Sequence, residues 1–183
     1  MTKGYITNLH TIHPWHERYI RLTEDITPLA ILKKHAVVFN ETVTGQLEQL
    51  GDLTYAPDKW TTRDMLQHLI DTERILSYRA LCIARNEQLD LPNYDEAAYA
   101  RYVDIRDRSI YDLLAEFGHV RQSTILLYQT FTDDMLRRVG SAAGKPVSVL
   151  ALAYILAGHP LHHLAIIQQK YVPLLTQHYE TRN

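Results

Sequence analysis

Disulfide pairs, glycine-rich loops, an excess of one charge and long apolar runs are all missing from this 183-residue chain. The single cysteine, Cys82, cannot close an internal disulfide, which points to a reducing compartment. Seven glycines supply no glycine-rich phosphate loop, and neither a G-x-S-x-G elbow nor a cysteine pair is present. Nineteen Lys+Arg against 21 Asp+Glu leave a net charge of −2 with histidine neutral. That balance lacks the concentrated positive field that phosphate backbones select, so nucleic acid is not an expected partner. The longest uninterrupted apolar run, Val149–Ala157, falls short of the roughly 20 residues a spanning helix needs. The opening stretch MTKGYITNLHTIHPWHERY has no signal-peptide apolar region. A soluble, cytoplasmic protein without a membrane partner is the expectation.

What the chain does have is an ordinary globular composition, 46% apolar and 22% charged, and ten histidines. Its length suits one domain that buries roughly 70% of the unfolded surface. No composition shift marks a second domain; residues 1–26 read as an N-terminal extension and 27–183 as the domain proper. Turn signals divide that domain into four long helices, and no run alternates convincingly as a strand.

The first helix opens at Thr27-Pro28 and runs to about Gly51, with Leu32, Ala36, Phe39, Val43, Leu47 and Leu50 on one stripe. The second opens at the capping box Thr61-Thr62-Arg63-Asp64 and runs to about Asn86. Leu89–Arg108 is a strap with room for one short helix near Asp95–Arg101. The third helix covers Asp107–Thr130. Gly140–Pro146 reads as a small-residue connector, and the fourth helix spans Val147–Tyr171, with Pro173 opening a short tail helix. The fold class is therefore all-α, a four-helix bundle whose long strap lets helices two and three run parallel.

At about 100° per residue, His68 falls on the inner arc of helix two, and His159 and His163 on that of helix four. The i,i+4 spacing of the latter pair lets two imidazoles share one ion. Buried imidazoles need both ring nitrogens partnered, and neighbours oppose each other's protonation; a divalent cation relieves both conditions. His162 falls at the rim, either as a base behind the ligand rings or as a rim residue only, and His119 falls opposite the core. His35 sits at a stripe edge, His178 in the tail, and His10, His13 and His16 in the extension. Glu73 lies off the arc and is expected to pair on the surface. Two readings stay open for Asp71: an acceptor for a ligand imidazole or bound water, or a solvated carboxylate. Arg79, on the stripe of His68, is either a structural ion-pair partner or an anchor for an anionic substrate.

The segment from Trp60 to Arg74, followed downstream by Ala157-Gly158-His159-Pro160-Leu161-His162-His163, resembles the DinB/YfiT-like superfamily. The resemblance implies a four-helix bundle with a divalent ion, nickel or zinc, on three histidines that match His68, His159 and His163. It also implies homodimers and, in some relatives, S-transfer from low-molecular-weight thiols. Three protein ligands leave an open position, which suits a metal-dependent hydrolase or thiol S-transferase acting on a small molecule. The alternative is a non-catalytic bundle that binds a metal or small ligand. Pro160 departs from the family pattern and predicts a kink or restart near His159. Helix four also carries a second apolar face, which either the segment around Trp15 or a symmetric partner must cover.

Overall fold

The computed structural model describes residues 1–180, with side chains through Thr176; the side chain of His178 lies outside them. After a short 3₁₀ turn at Lys3–Asn8, the helices are α1 Pro14–Ile20, α2 Pro28–Lys34, α3 Glu41–Leu50, α4 Thr62–Ala84, α5 Glu96–Tyr102, α6 Ile110–Gln129 and α7 Asp133–Arg137. A two-stranded hairpin, β1 Val139–Ala142 and β2 Lys145–Ser148, leads into α8 Val149–Ile166. A π turn at Ile167–Tyr171 and α9 Val172–Glu180 follow.

Side-chain caps set the starts of the bundle helices. Thr61 and Asp64 form the expected capping box of α4, and Ser109 and Asp112 form a second one for α6. Ser148 accepts from Ala151 N to start α8. The expected first helix is broken in two. Asn40 Oδ1 accepts from Val43 N at 3.0 Å and opens α3 anew, after α2 has ended at Lys34. Its stripe is unaffected: Leu32, Phe39, Val43, Leu47 and Leu50 are all buried.

The connector at Gly140–Pro146 is also corrected, because it folds as the antiparallel hairpin. Both residues of its turn, Ala143 and Gly144, have positive φ, the primed geometry that suits twisted strands. A Cβ on Gly140 would stand 2.6 Å from Ile83 Cγ1, so this strand packs directly on α4.

Cross-helix pairs fix the topology. Arg74 meets Glu116, Glu73 meets Arg121 and Ser77 meets Thr124, so α4 and α6 run parallel, joined by the strap. Arg121 meets Leu156 and Tyr128 meets Val149, so α8 runs antiparallel to α6. The helical stretch Val149–Thr176 is long and apolar enough to cross a membrane, but 72% of its apolar window is buried inside the protein. Its second apolar face is covered by the N-terminal segment. Ile6, Tyr19 and Ile20 join the same core as Leu150 and Ala157. A Cβ on Gly158 would stand 2.1 Å from Tyr19 O, so α1 approaches α8 at its glycine.

The restart expected near Pro160 does not occur; α8 runs uninterrupted from Val149 to Ile166. Proline lacks the N–H that would bond Leu156 O. That carbonyl instead accepts from Arg121 Nη2 at 2.8 Å. Arg121 is 0% exposed and also donates to His35 O at 2.9 Å and to both oxygens of Glu73, at 2.7 and 2.9 Å. Glu73, expected at the surface, is thus the buried counter-ion of the bundle.

Arg121→Met strands a buried carboxylate and two carbonyls, and is expected to cost about 3–5 kcal/mol in urea unfolding. Adding Glu73→Leu to it is expected to recover part of that loss, because no unpaired charge then remains. Gly158→Ala is expected to cost about 1–3 kcal/mol, since backbone rather than a flexible side chain must move.

Candidate metal centre

His68 sits in the second turn of α4, placed by the Thr61 cap, and Trp60 stacks at 4.9 Å from its ring. His159 and His163 stand one turn apart on α8, on either side of Pro160. The uninterrupted helix carries both rings on one face, one turn apart. The three side chains are 7%, 5% and 8% exposed. His68 Nε2 lies 3.1 Å from His159 Nε2, and His163 Nε2 lies 3.0 Å from it. All three can offer ring nitrogens within 4.8 Å of one another.

Neutral imidazoles alone satisfy this cluster poorly. His159 Nε2 presents either one N–H or one lone pair, and two nitrogens compete for it. His163 Nδ1 is buried with no hydrogen-bond partner. Two nitrogens each about 2.1 Å from one ion lie about 3.0–3.4 Å apart at angles from 90° to tetrahedral, so the spacing fits a shared cation. The all-nitrogen donor set suits a divalent first-row transition metal.

Burial holds the imidazoles in the neutral form that ligates. It lowers the pKa of His68 to about 4. His159 and His163 are driven well below the usual range, first by burial and then by the neighbouring rings. Arg18, whose guanidinium lies 3.2 Å from the centre of the Trp15 ring, adds to the field that opposes their protonation.

The centre opens on a cavity of about 810 Å³ lined by His159, Thr72, Tyr94, Glu96, Arg79 and His16, among others. A second hollow, about 260 Å³, reaches His163 past Tyr55, Trp60 and Tyr171. Thr72 Oγ1 lies 3.5 Å from His68 Nδ1 and 2.6 Å from Tyr94 Oη, a hydroxyl chain leading from a candidate ligand to the cavity wall. Burial raises the Tyr94 phenol well above its ordinary range, so it remains a donor. The Tyr19 ring meets His159 edge-on at 5.0 Å.

The other expected residues are placed differently. Asp71 accepts from Gln67 Nε2 at 2.9 Å rather than from His68, and burial raises its pKa. Arg79 donates to Pro92 O at 2.7 Å and has no carboxylate within salt-bridging reach among the described residues, which corrects the expected ion pair. His162 stands at the rim, 5.4 Å from the Tyr19 and His163 rings. His119 is exposed and His35 bonds Glu24 at 2.9 Å. Cys82 is half-buried against the core.

Sequence reasoning missed Thr72, Tyr94, Glu96 and Tyr19 as site residues. Thr72 shares the arc of His68 and was legible. Tyr94 and Glu96 lie in an aperiodic strap, and Tyr19 in a segment whose docking no spacing reveals.

Below pH 6.5 the unfolded chain takes up protons that these histidines refuse in the folded state. The metal-free protein is therefore expected to lose stability as pH falls from 7 towards 4, by up to about 1.4 kcal/mol per pH unit for each such histidine. Urea midpoints across that range measure it. His159→Asn is expected to flatten the slope.

The DinB superfamily family model matches residues 15–167. No curated protein matches the chain. Among solved structures it is similar to YfiT from Bacillus subtilis, described as a probable metal-dependent hydrolase with an unusual four-helix bundle topology. The TM-score is 0.60 at 21% identity, covering 93% of this chain and 91% of that one. A likeness at that identity establishes the shared fold, and the family match over most of the chain establishes the kinship: this chain belongs to the DinB superfamily.

Proposed function

We propose that this protein is a metal-dependent enzyme of the hydrolase or thiol S-transferase type. His68, His159 and His163 would hold a divalent ion, nickel or zinc. The observation that carries the reading is the convergence of three buried imidazoles, with the Nε2 atoms of His68 and His163 each about 3 Å from that of His159, beside a large cavity. Three protein ligands leave coordination positions free, and a bound ion there lowers the pKa of a water or holds a thiol as its thiolate.

The chain's own residues do the rest. The hydroxyl of Thr72 fixes the ring of His68 through Nδ1, and Tyr94 extends that contact to the cavity as a proton donor. Glu96 lines both the large cavity and the small recess beside His68 and Asp71. Burial raises its pKa, which eases proton uptake by this carboxylate. Trp60 and Tyr19 wall the rings off from bulk water. A small-molecule substrate, with a low-molecular-weight thiol as co-substrate in the transferase case, fits a cavity of this volume.

Elemental analysis of the purified protein is expected to find one nickel or zinc per chain. His68→Ala, His159→Ala and His163→Ala are each expected to reduce occupancy by at least 10-fold while the helical circular dichroism persists. Stoichiometric metal retained in all three variants would end the assignment. Conjugation of a thiol to a model electrophile, run beside ester hydrolysis, separates the two reaction types.

A further inference from the structure

The wall of the 810 Å³ cavity carries a cation with no carboxylate within salt-bridging reach among the described residues. Arg79 is 8% exposed, and its one hydrogen bond among the described residues runs from Nη2 to the backbone oxygen of Pro92. A guanidinium has five N–H donors, and burying one without a carboxylate is costly. The acid that acts on it electrostatically, Asp90, is committed elsewhere: it accepts from Ser141 Oγ at 2.5 Å and from Gly144 N at 3.0 Å. Lys145 from β2 and His16 from α1 line the same cavity. The pKa of His16 is lowered to about 4, first by burial and then by the positive field of His13, Arg79, His10 and Lys145.

Two acids share this wall. Asp95 Oδ1 is engaged as the cap of α5, accepting from Ala98 N at 3.0 Å. Glu96 lies in the field of the Arg18 guanidinium. Among the described residues neither Arg79 nor Lys145 has a carboxylate within salt-bridging reach: Arg79 bonds Pro92 O, and Lys145 Nζ lies 2.8 Å from His13 Nε2.

We propose that the cavity takes an anionic small molecule whose carboxylate or phosphate group seats on Arg79, with Lys145 as a second cation and the rest of the molecule reaching towards His159. This names the substrate class of the centre described above and rests on that reading, although the anion seat itself needs no ion in the centre. A planar guanidinium with free N–H donors matches either oxyanion in bidentate fashion.

Isothermal titration of the full-length protein, both as purified and after chelator treatment, with succinate, inorganic phosphate and uncharged succinamide tests the proposal. Succinate or phosphate is expected to bind saturably at one per chain, and succinamide not at all; which anion binds distinguishes the two oxyanion types. Arg79→Gln is expected to weaken the binding by ~10-fold or more, and Arg79→Lys by less. Lys145→Gln, at an exposed position, is expected to weaken it by ~3-fold. Equal affinity for succinate and succinamide, unchanged affinity in Arg79→Gln, or no binding of either anion would overturn the proposal. Should Arg79→Gln fail to fold by circular dichroism, unchanged binding in Lys145→Gln overturns it. Anion binding by a protein that elemental analysis finds free of metal would remove the metal reading and leave the anion seat standing.

Discussion

One buried guanidinium ties the bundle together. Arg121 of α6 bonds the end of α2 through His35 O, α4 through Glu73, and α8 through Leu156 O. The last contact occupies the carbonyl that Pro160 leaves without its helical donor. A buried ion pair is weak evidence for stability in itself, because desolvation offsets much of the attraction. Its value here is positional. It supplies a donor to the carbonyl that Pro160 frees, and α8 continues without interruption to carry His159 and His163 on the face that meets His68.

The same residues belong to a polar layer across the bundle. On α4 the apolar residues up to Ile70 join one core cluster and those from Leu76 the other. On α6 the division falls between Phe117 and Ile125, and on α8 between Ala157 and Leu164. His68, Thr72, Glu73, Arg121, Thr124, His159 and His163 fill the gap and are all buried. Buried polar groups persist where every member is partnered. In this layer the Glu73–Arg121 side is fully bonded, whereas the histidine side has crowded nitrogens and an orphan at His163 Nδ1. The side left unsatisfied is the side that opens on the cavity.

Much of this was legible in the sequence. The stripe positions, the Thr61 capping box, the strap with its short helix and the inward facing of His68, His159 and His163 all follow from periodicity and local side-chain chemistry. The rest was not legible, for identifiable reasons. Asn40 competes for the backbone and breaks the first helix, a choice that spacing alone does not decide. Ala143-Gly144 turns a hairpin without the usual Asn-Gly signal. Glu73 lies off the arc of its own helix, yet α6 runs parallel beside α4 and buries it. Pro160 forecast a restart that does not occur, because the donor that replaces its missing N–H comes from a residue 39 positions earlier. The last two misses are tertiary contacts overriding a local rule; the first two are local backbone choices that periodicity does not register.

X-ray absorption at the metal edge of the purified protein examines the convergence of the three rings most directly. The account predicts a first shell containing three imidazole nitrogens at about 2.0–2.1 Å, with the multiple scattering typical of histidine rings and the remaining positions filled by lighter oxygen or nitrogen donors. A shell with one imidazole or none, or one dominated by carboxylate oxygens, would contradict it.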